Sequence, residues 1–256
     1  VNDFKINFKQ KYKFSGKYGT NLMEEVARYA LVGGTIALQN QFDVIHAHDW
    51  LTYAAGVAAK RLTGKPLVVH VHATEFDRTG ENVNTQVYAL EKMGMEAADK
   101  VITVSNLTRN IVINRYGISP DKVVTVHNAV DFSGRNEIDV QRGVPEKVVT
   151  FLGRITFQKG PEYFIEAANK VLKYYKNVRF VMAGSGDLLN RSIRRVAKLG
   201  ISDRFHFTGF LRGADVQRMF AVSDVYVMPS VSEPFGISPL EAMRTGVPTI
   251  ISKQSG

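Results

Sequence analysis

Short apolar runs separated by helix-length segments recur along this chain, and that alternation restricts its fold more than any other feature. The runs "FDVIHAHD", "KPLVVHVH", "KVITVS" and "DKVVTVHNAV" are short and rich in β-branched residues, so they read as buried strands. Residues 53–62, 87–98 and 107–116 between them have helical spacing, and a further helix is expected at 22–39. Parallel neighbours need a crossover, and a helix after each strand supplies it, so the pattern predicts a parallel, doubly wound sheet. The polar stretch "DFSGRNEIDVQRGVPEK" interrupts the rhythm. A second series follows, "VVTFLGR", "VRFVMAGSG", "RFHFTGF", "SDVYVMPS" and "VPTIIS", with helices expected at 163–175 and 188–198. The predicted architecture is α/β, with two Rossmann-like domains over residues 1–134 and 148–256 and a linker over 135–147.

Composition narrows the function classes. A chain of 256 residues with 45% hydrophobic content can build packed cores. It contains no apolar run long enough to span a membrane and no signal-peptide pattern. The absence of cysteine excludes disulfides and thiolate metal sites and fits a reducing, cytoplasmic setting. The net charge of +9 invites a nucleic-acid reading, but the basic residues are scattered and no zinc-finger, basic-zipper or RNP-like pattern accompanies them. An anionic small molecule or a membrane surface accounts for the charge equally well. Lys5, Lys9, Lys11, Lys13 and Lys17 read first as a solvated face, with an anionic acceptor or lipid headgroups as the alternative contact. No opening strand and Gly-rich turn precede Phe42, and the chain stops at "SKQSG" directly after a strand. The expectation is a fragment whose first domain lacks its start and whose second lacks its closing helix.

Chemistry concentrates in "SEPFGISPLEAMRTGVPTI", which sets Glu233 and Glu241 on either side of a loop. Ser238, Pro239 and Glu241 match a helix start with a capping box, so Glu241 has a local explanation. Glu233 has none: it lies beyond a strand's carboxyl end, where open α/β sheets bind ligands. Arg154 ends the strand "VVTFLGR", and Lys159-Gly160-Pro161 opens the next helix, whose amides favour phosphate. Gly184 and Gly186 read as a turn with Asp187 as helix cap. His46/His48 and His70/His72 form two His-x-His pairs, each on one face of a strand, and such pairs can ligate a metal. A metal site of that kind needs more ligands from later strands, and only His127 and His206 remain.

"FLGRITFQKGPEYFIEAA", "HFTGFL" and "SEPFGISPLEAMRTGVPTI" together resemble the donor-binding half of the family 4 retaining glycosyltransferases of the GT-B fold. "DVIHAHDW", "VVHVHATEFDR", "ADKVITVS" and "VHNAVD" resemble the first half of the same family, closest to its glycogen- and starch-synthase-like members. The resemblance implies transfer of a hexose, glucose, from a nucleotide-diphosphate sugar to a carbohydrate acceptor, with retention, by front-face attack, and without metal or cofactor. It implies that Arg154 and Lys159 stabilise the leaving diphosphate, that Glu233 binds the transferred sugar and that His72 reaches the same sugar. The amides of Phe235, Gly236 and Ile237 would approach sugar and phosphate, Glu241 the ribose, and Gly209 to Leu211 the base. His48, Asp49 and Trp50 would shape the acceptor side. A metal-dependent hydrolase built on the His-x-His pairs and a two-lobed sugar-binding protein are the alternatives; neither accounts for the phosphate-directed cations.

Overall fold

The computed structural model describes residues 22–131, 140 and 143–256. The predicted 135–147 linker lies largely outside the described residues, as does the lysine-rich segment 5–17.

The first series forms α1 (Leu22–Gln39), β1 (Ile45–His48), α2 (Trp50–Thr63), β2 (Leu67–Val71), α3 (Glu75–Thr79), α4 (Thr85–Ala97), β3 (Lys100–Thr103), α5 (Asn106–Tyr116) and β4 (Val123–Thr125). Its four strands are parallel in the order β1-β2-β3-β4. Ala47, Leu67, Val69, Val71 and Val101 point into a core shared with α2, α4 and α5. Alternate residues of β1 face the other way, and His46 and His48 are exposed there. The expectation of strands buried on both faces is thus corrected for β1: its period-2 alternation puts imidazoles, not aliphatic groups, on the second face.

The second series forms β5 (Lys147–Leu152), α6 (Pro161–Tyr174), β6 (Val178–Ala183), α7 (Leu189–Lys198), β7 (Phe205–Gly209), α8 (Ala214–Ala221), β8 (Val225–Met228), α9 (Ile237–Arg244) and β9 (Thr249–Ile251). The parallel order is β7-β6-β5-β8-β9, so the chain reverses direction across the sheet between β5 and β8. Phe151, Phe164, Phe180 and Phe205 anchor one hydrophobic cluster, Phe220, Tyr226 and Met228 another. A switch point of this kind leaves a crevice at the carboxyl ends of β5 and β8, which positions the site.

The "AGSG" segment is more than a turn. A side chain at Gly184 (φ 145°) would run into the Gly153 carbonyl, and one at Gly186 into the Ile155 backbone, so these glycines let two strand-end loops touch. Asp187 does not cap the following helix; α7 opens after Leu188 with no side-chain cap.

Candidate active site

The crevice of the second sheet faces the first sheet across a cavity of about 410 Å³. Asp49, Trp50, His72 and Arg78 line it from one side, Arg154, Gln158, Lys159 and Glu233 from the other.

On the first side, the loops after β1 and β2 hold each other. Asp49 has a left-handed backbone (φ 57°), the one positive φ outside glycine among the described residues. Its Oδ1 accepts the His72 amide at 2.8 Å and the Ala73 amide at 3.4 Å, while its own amide donates to the His70 carbonyl at 3.0 Å. Strain of this kind persists where surrounding bonds over-determine it. His48 Nδ1 lies 2.9 Å from His72 Nε2, which fixes the His72 ring. Asp49 and His48 therefore orient His72. Trp50 opens α2 and packs into the core while one edge reaches the cavity.

On the second side, Arg154 follows β5 and is exposed. Lys159 ends a 3-10 turn over Phe157–Lys159, and Gly160 (φ 64°) then starts α6 with Pro161 in its first turn. A side chain at Gly160 would collide with the Pro229 carbonyl, so glycine brings this turn against the loop after β8. Glu233 sits in that loop and is buried, at 4% exposure. Its carboxylate accepts a hydrogen bond from Lys159 Nζ and another from Ser230 Oγ at 3.2 Å.

Phe235, Gly236, Ile237 and Glu241 continue from Glu233 into α9 but do not line the cavity, and Gly209 and Leu211 lie out at the edge strand β7. Phe235 meets His127 of the first unit edge-on, with ring centroids 5.9 Å apart. The predicted capping box is absent. The helix begins at Ile237 after an extended Gly236 (φ −81°, ψ 104°) with no side-chain cap, earlier than Ser238 requires. Ser238 instead bonds Tyr226, and Glu241 is too far along the helix to cap its start.

Arg78 and Gln158 are cavity residues that the sequence reading missed. Arg78 Nη1 donates to Glu91 Oε1 at 2.8 Å and Nη2 to the Ala73 carbonyl at 2.9 Å. Glu91 also accepts from the Tyr116 hydroxyl and, at 3.1 Å, from the Glu75 amide. Burial raises the Glu91 carboxyl above its ordinary range, against the opposing pull of Tyr116 and Arg78. A glutamate on the apolar face of α4 was the available signal.

His46, His48 and His70 have ligand nitrogens within 4.8 Å of one another. His46 and His70 are 3° from parallel with ring centroids 5.5 Å apart, while His48 is tilted by 37° to His46 and 34° to His70. Burial, then the neighbouring imidazoles, pushes His70 down to about 4, and burial followed by His48 and His72 lowers His46. Both are thus neutral near pH 7.

Residues 26–133 match the family model "Glycosyltransferase Family 4" and residues 135–256 match "Glycosyl transferases group 1". The chain is 34% identical over 231 residues to an uncharacterized glycosyltransferase, MJ1607, of Methanocaldococcus jannaschii, covering 85% of this chain and 59% of that protein. It is 27% identical over 223 residues to the glycogen synthase of Mycobacterium tuberculosis, covering 84% and 53%. The chain therefore spans between half and two thirds of these relatives. Among solved structures, Anabaena Alr3699/HepE in complex with UDP and glucose superposes with a TM-score of 0.75 at 22% identity, over 94% of this chain and 66% of the other. Among the described residues, no helix is long and apolar enough to cross a membrane.

Proposed function

This chain belongs to the family 4 glycosyltransferases and has their GT-B fold, and on that premise we propose that it moves a hexose, glucose, from a nucleotide-diphosphate sugar to a carbohydrate acceptor with retention, without metal or cofactor. Residues 1–134 form the acceptor side and 148–256 the donor side. The observation that carries this reading is a cavity at the β5/β8 switch point that joins Arg154, Lys159 and Glu233 to His72.

The chemistry follows from those groups. As the glycosidic bond breaks, its electron pair goes to the phosphate oxygen, and fixed cations at that oxygen lower the barrier. Arg154 and Lys159 supply them. A diphosphate competes with Glu233 for the Lys159 ammonium, which frees the carboxylate to take sugar hydroxyls and to oppose positive charge at the anomeric carbon. His72, oriented by His48 and Asp49, contacts the sugar from the other side. The acceptor oxygen attacks the face the phosphate leaves, the departing phosphate takes the acceptor's proton, and configuration is retained. The amides of Phe235, Gly236 and Ile237 approach sugar and phosphate, Glu241 takes the ribose hydroxyls, and Gly209 to Leu211 meet the base. Trp50 closes the acceptor side. The relative named a glycogen synthase and the neighbour holding UDP and glucose support a glucosyl donor and a carbohydrate acceptor.

Thermal shift with UDP-, ADP- and GDP-glucose, free glucose, zinc and manganese tests the reading, because only a ligand bound by the folded state raises the Tm. Stabilisation by at least one nucleotide sugar is expected. Stabilisation by metal alone would favour the hydrolase, and by free sugar alone the binding protein.

A further inference from the structure

Asp77 has two carboxylate oxygens with separate duties. It is buried, at 2% exposure, in the short helix α3. Its Oδ2 accepts the Thr74 amide at 2.7 Å and the Thr74 hydroxyl at 2.8 Å, completing the cap of that helix. The cap leaves Oδ1 over, and Oδ1 accepts the hydroxyl of Ser232 at 2.5 Å, 155 residues away in the other unit. Ser232 directly precedes Glu233, and Thr74 is two residues beyond His72. One hydrogen bond thus ties the segment bearing the cavity's buried acid to the segment bearing its histidine.

The same helix also lies beside the Phe157–Lys159 turn of the second unit. A side-chain atom built at Gly80 would lie 3.9 Å from the Phe157 ring, in the turn that ends at Lys159. Hence α3 bears on both loops that carry the proposed donor-binding groups. Separating the units leaves Asp77 Oδ1 to water. A hydroxyl-to-carboxylate bond shielded from solvent is among the stronger hydrogen bonds, so its loss shifts the balance between closed and open cleft.

We infer that Asp77 is a positioning residue, and that its bond to Ser232 is a clasp that closes the cleft and sets the separation of His72 from Glu233. Its bearing on transfer rests on the proposed function; its bearing on closure does not. Neither residue need touch the substrate. A loosened clasp leaves the donor-binding groups of the second unit intact but admits water to the reacting centre and blurs the alignment of donor and acceptor.

The chain has no cysteine, so a pair can be introduced for fluorescent labels at Asn114 on α5 and Lys173 on α6, both exposed. Ser232→Ala is the informative variant, because it deletes the donor and leaves the Thr74–Asp77 cap in place. Single-molecule energy transfer should show a longer and broader inter-unit distance in Ser232→Ala than in the parent at an unchanged Tm, with Ser232→Thr, which keeps the hydroxyl, restoring the parent distribution. Ser232→Ala should lower kcat for transfer roughly tenfold, leave the KM for nucleotide sugar nearly unchanged, and raise the fraction of donor lost to water. If no nucleotide sugar binds, the donor-site reading fails while the distance measurement still judges the clasp. Identical distance distributions in Ser232→Ala and the parent would overturn the clasp; altered distances with unaltered transfer and hydrolysis would overturn its positioning role.

Discussion

The Lys159 ammonium donates a hydrogen bond to the Glu233 carboxylate, joining residues 74 apart in sequence in one wall of the cleft. The acid is the deeper partner: its side chain is 5% exposed against 20% for the lysine. Each therefore depends on the other for more than charge. A buried carboxylate deprived of its cation costs more than a partly exposed lysine deprived of its anion. On the proposed function, the pair also links recognition of diphosphate to recognition of sugar, because the phosphate that draws Lys159 away releases the oxygen that the sugar uses.

This asymmetry separates two cations that otherwise do the same work. Lys159→Ala and Arg154→Ala should each lower turnover by roughly a hundredfold, the scale for losing one transition-state donor. Only Lys159→Ala should also lower the Tm, since Arg154 is exposed whereas Glu233 would be left buried without its ion pair. Glu233→Gln keeps the shape and the Ser230 contact, so it should impair catalysis with a smaller loss of Tm. Steady-state kinetics and calorimetric melting check these outcomes; wild-type turnover in Lys159→Ala would remove it from the diphosphate.

Glu241 offers a cleaner case. Because no capping box forms at the start of α9, Glu241→Ala should not cost the roughly 1 kcal/mol typical of a lost cap. It should weaken nucleotide affinity severalfold through the ribose. Calorimetric titration with nucleotide beside a melting curve separates the two, and unchanged affinity would take Glu241 out of the donor site.

The strand-helix alternation was legible because it is local: period and turn residues mark each element wherever its partners lie. Strand ends were less so. "DKVVTVHNAV" yields only Val123–Thr125, since a strand extends just as far as β3 pairs with it. The capping box failed for a related reason. Gly236 packs so tightly that a side chain there would meet Met228 Cε at 2.8 Å, and that tertiary contact accompanies a helix start earlier than the local motif suggests. Lys159 and Glu233 were selected by their places at a helix start and beyond a strand end and then by family resemblance, but nothing in their spacing announces that they touch. Arg78 was passed over because its significance lies in the cavity it lines and in the buried Glu91 behind it, neither visible in "EFDRTG".

The close packing under Arg154 predicts a large effect from a single methyl group. Gly184 has φ 145° and stands against the Gly153 carbonyl, while its amide donates to Gly209 at 2.8 Å. Gly184→Ala adds both a disfavoured backbone and a clash, so stability should fall by about 2 kcal/mol or more. The Gly153-Arg154 loop must also shift, which should weaken nucleotide binding although Gly184 lies outside the cavity lining. Denaturant melts and nucleotide titration test this together; a variant as stable as the parent would show that the two loops do not press on each other.

The histidine stack sets a pH dependence whose sign can be worked out. An unfolded histidine titrates near 6.5, whereas folded His70 is held down to about 4 by burial and by His72, His48 and His46. As pH falls from 7 towards 4, the unfolded chain therefore takes up a proton that the folded chain refuses, and stability drops across that window. His46, lowered for similar reasons, adds in the same direction. Glu91 opposes them: its raised carboxyl binds a proton more readily folded than unfolded, which favours the folded state on acidification. A difference measurement isolates the imidazole. Between pH 7.5 and 5, the Tm of the parent should fall by more degrees than that of His70→Gln, which has no proton to take up at that position. Parallel declines in the two proteins would mean that His70 titrates as freely folded as unfolded, and that the stacked rings do not hold it neutral.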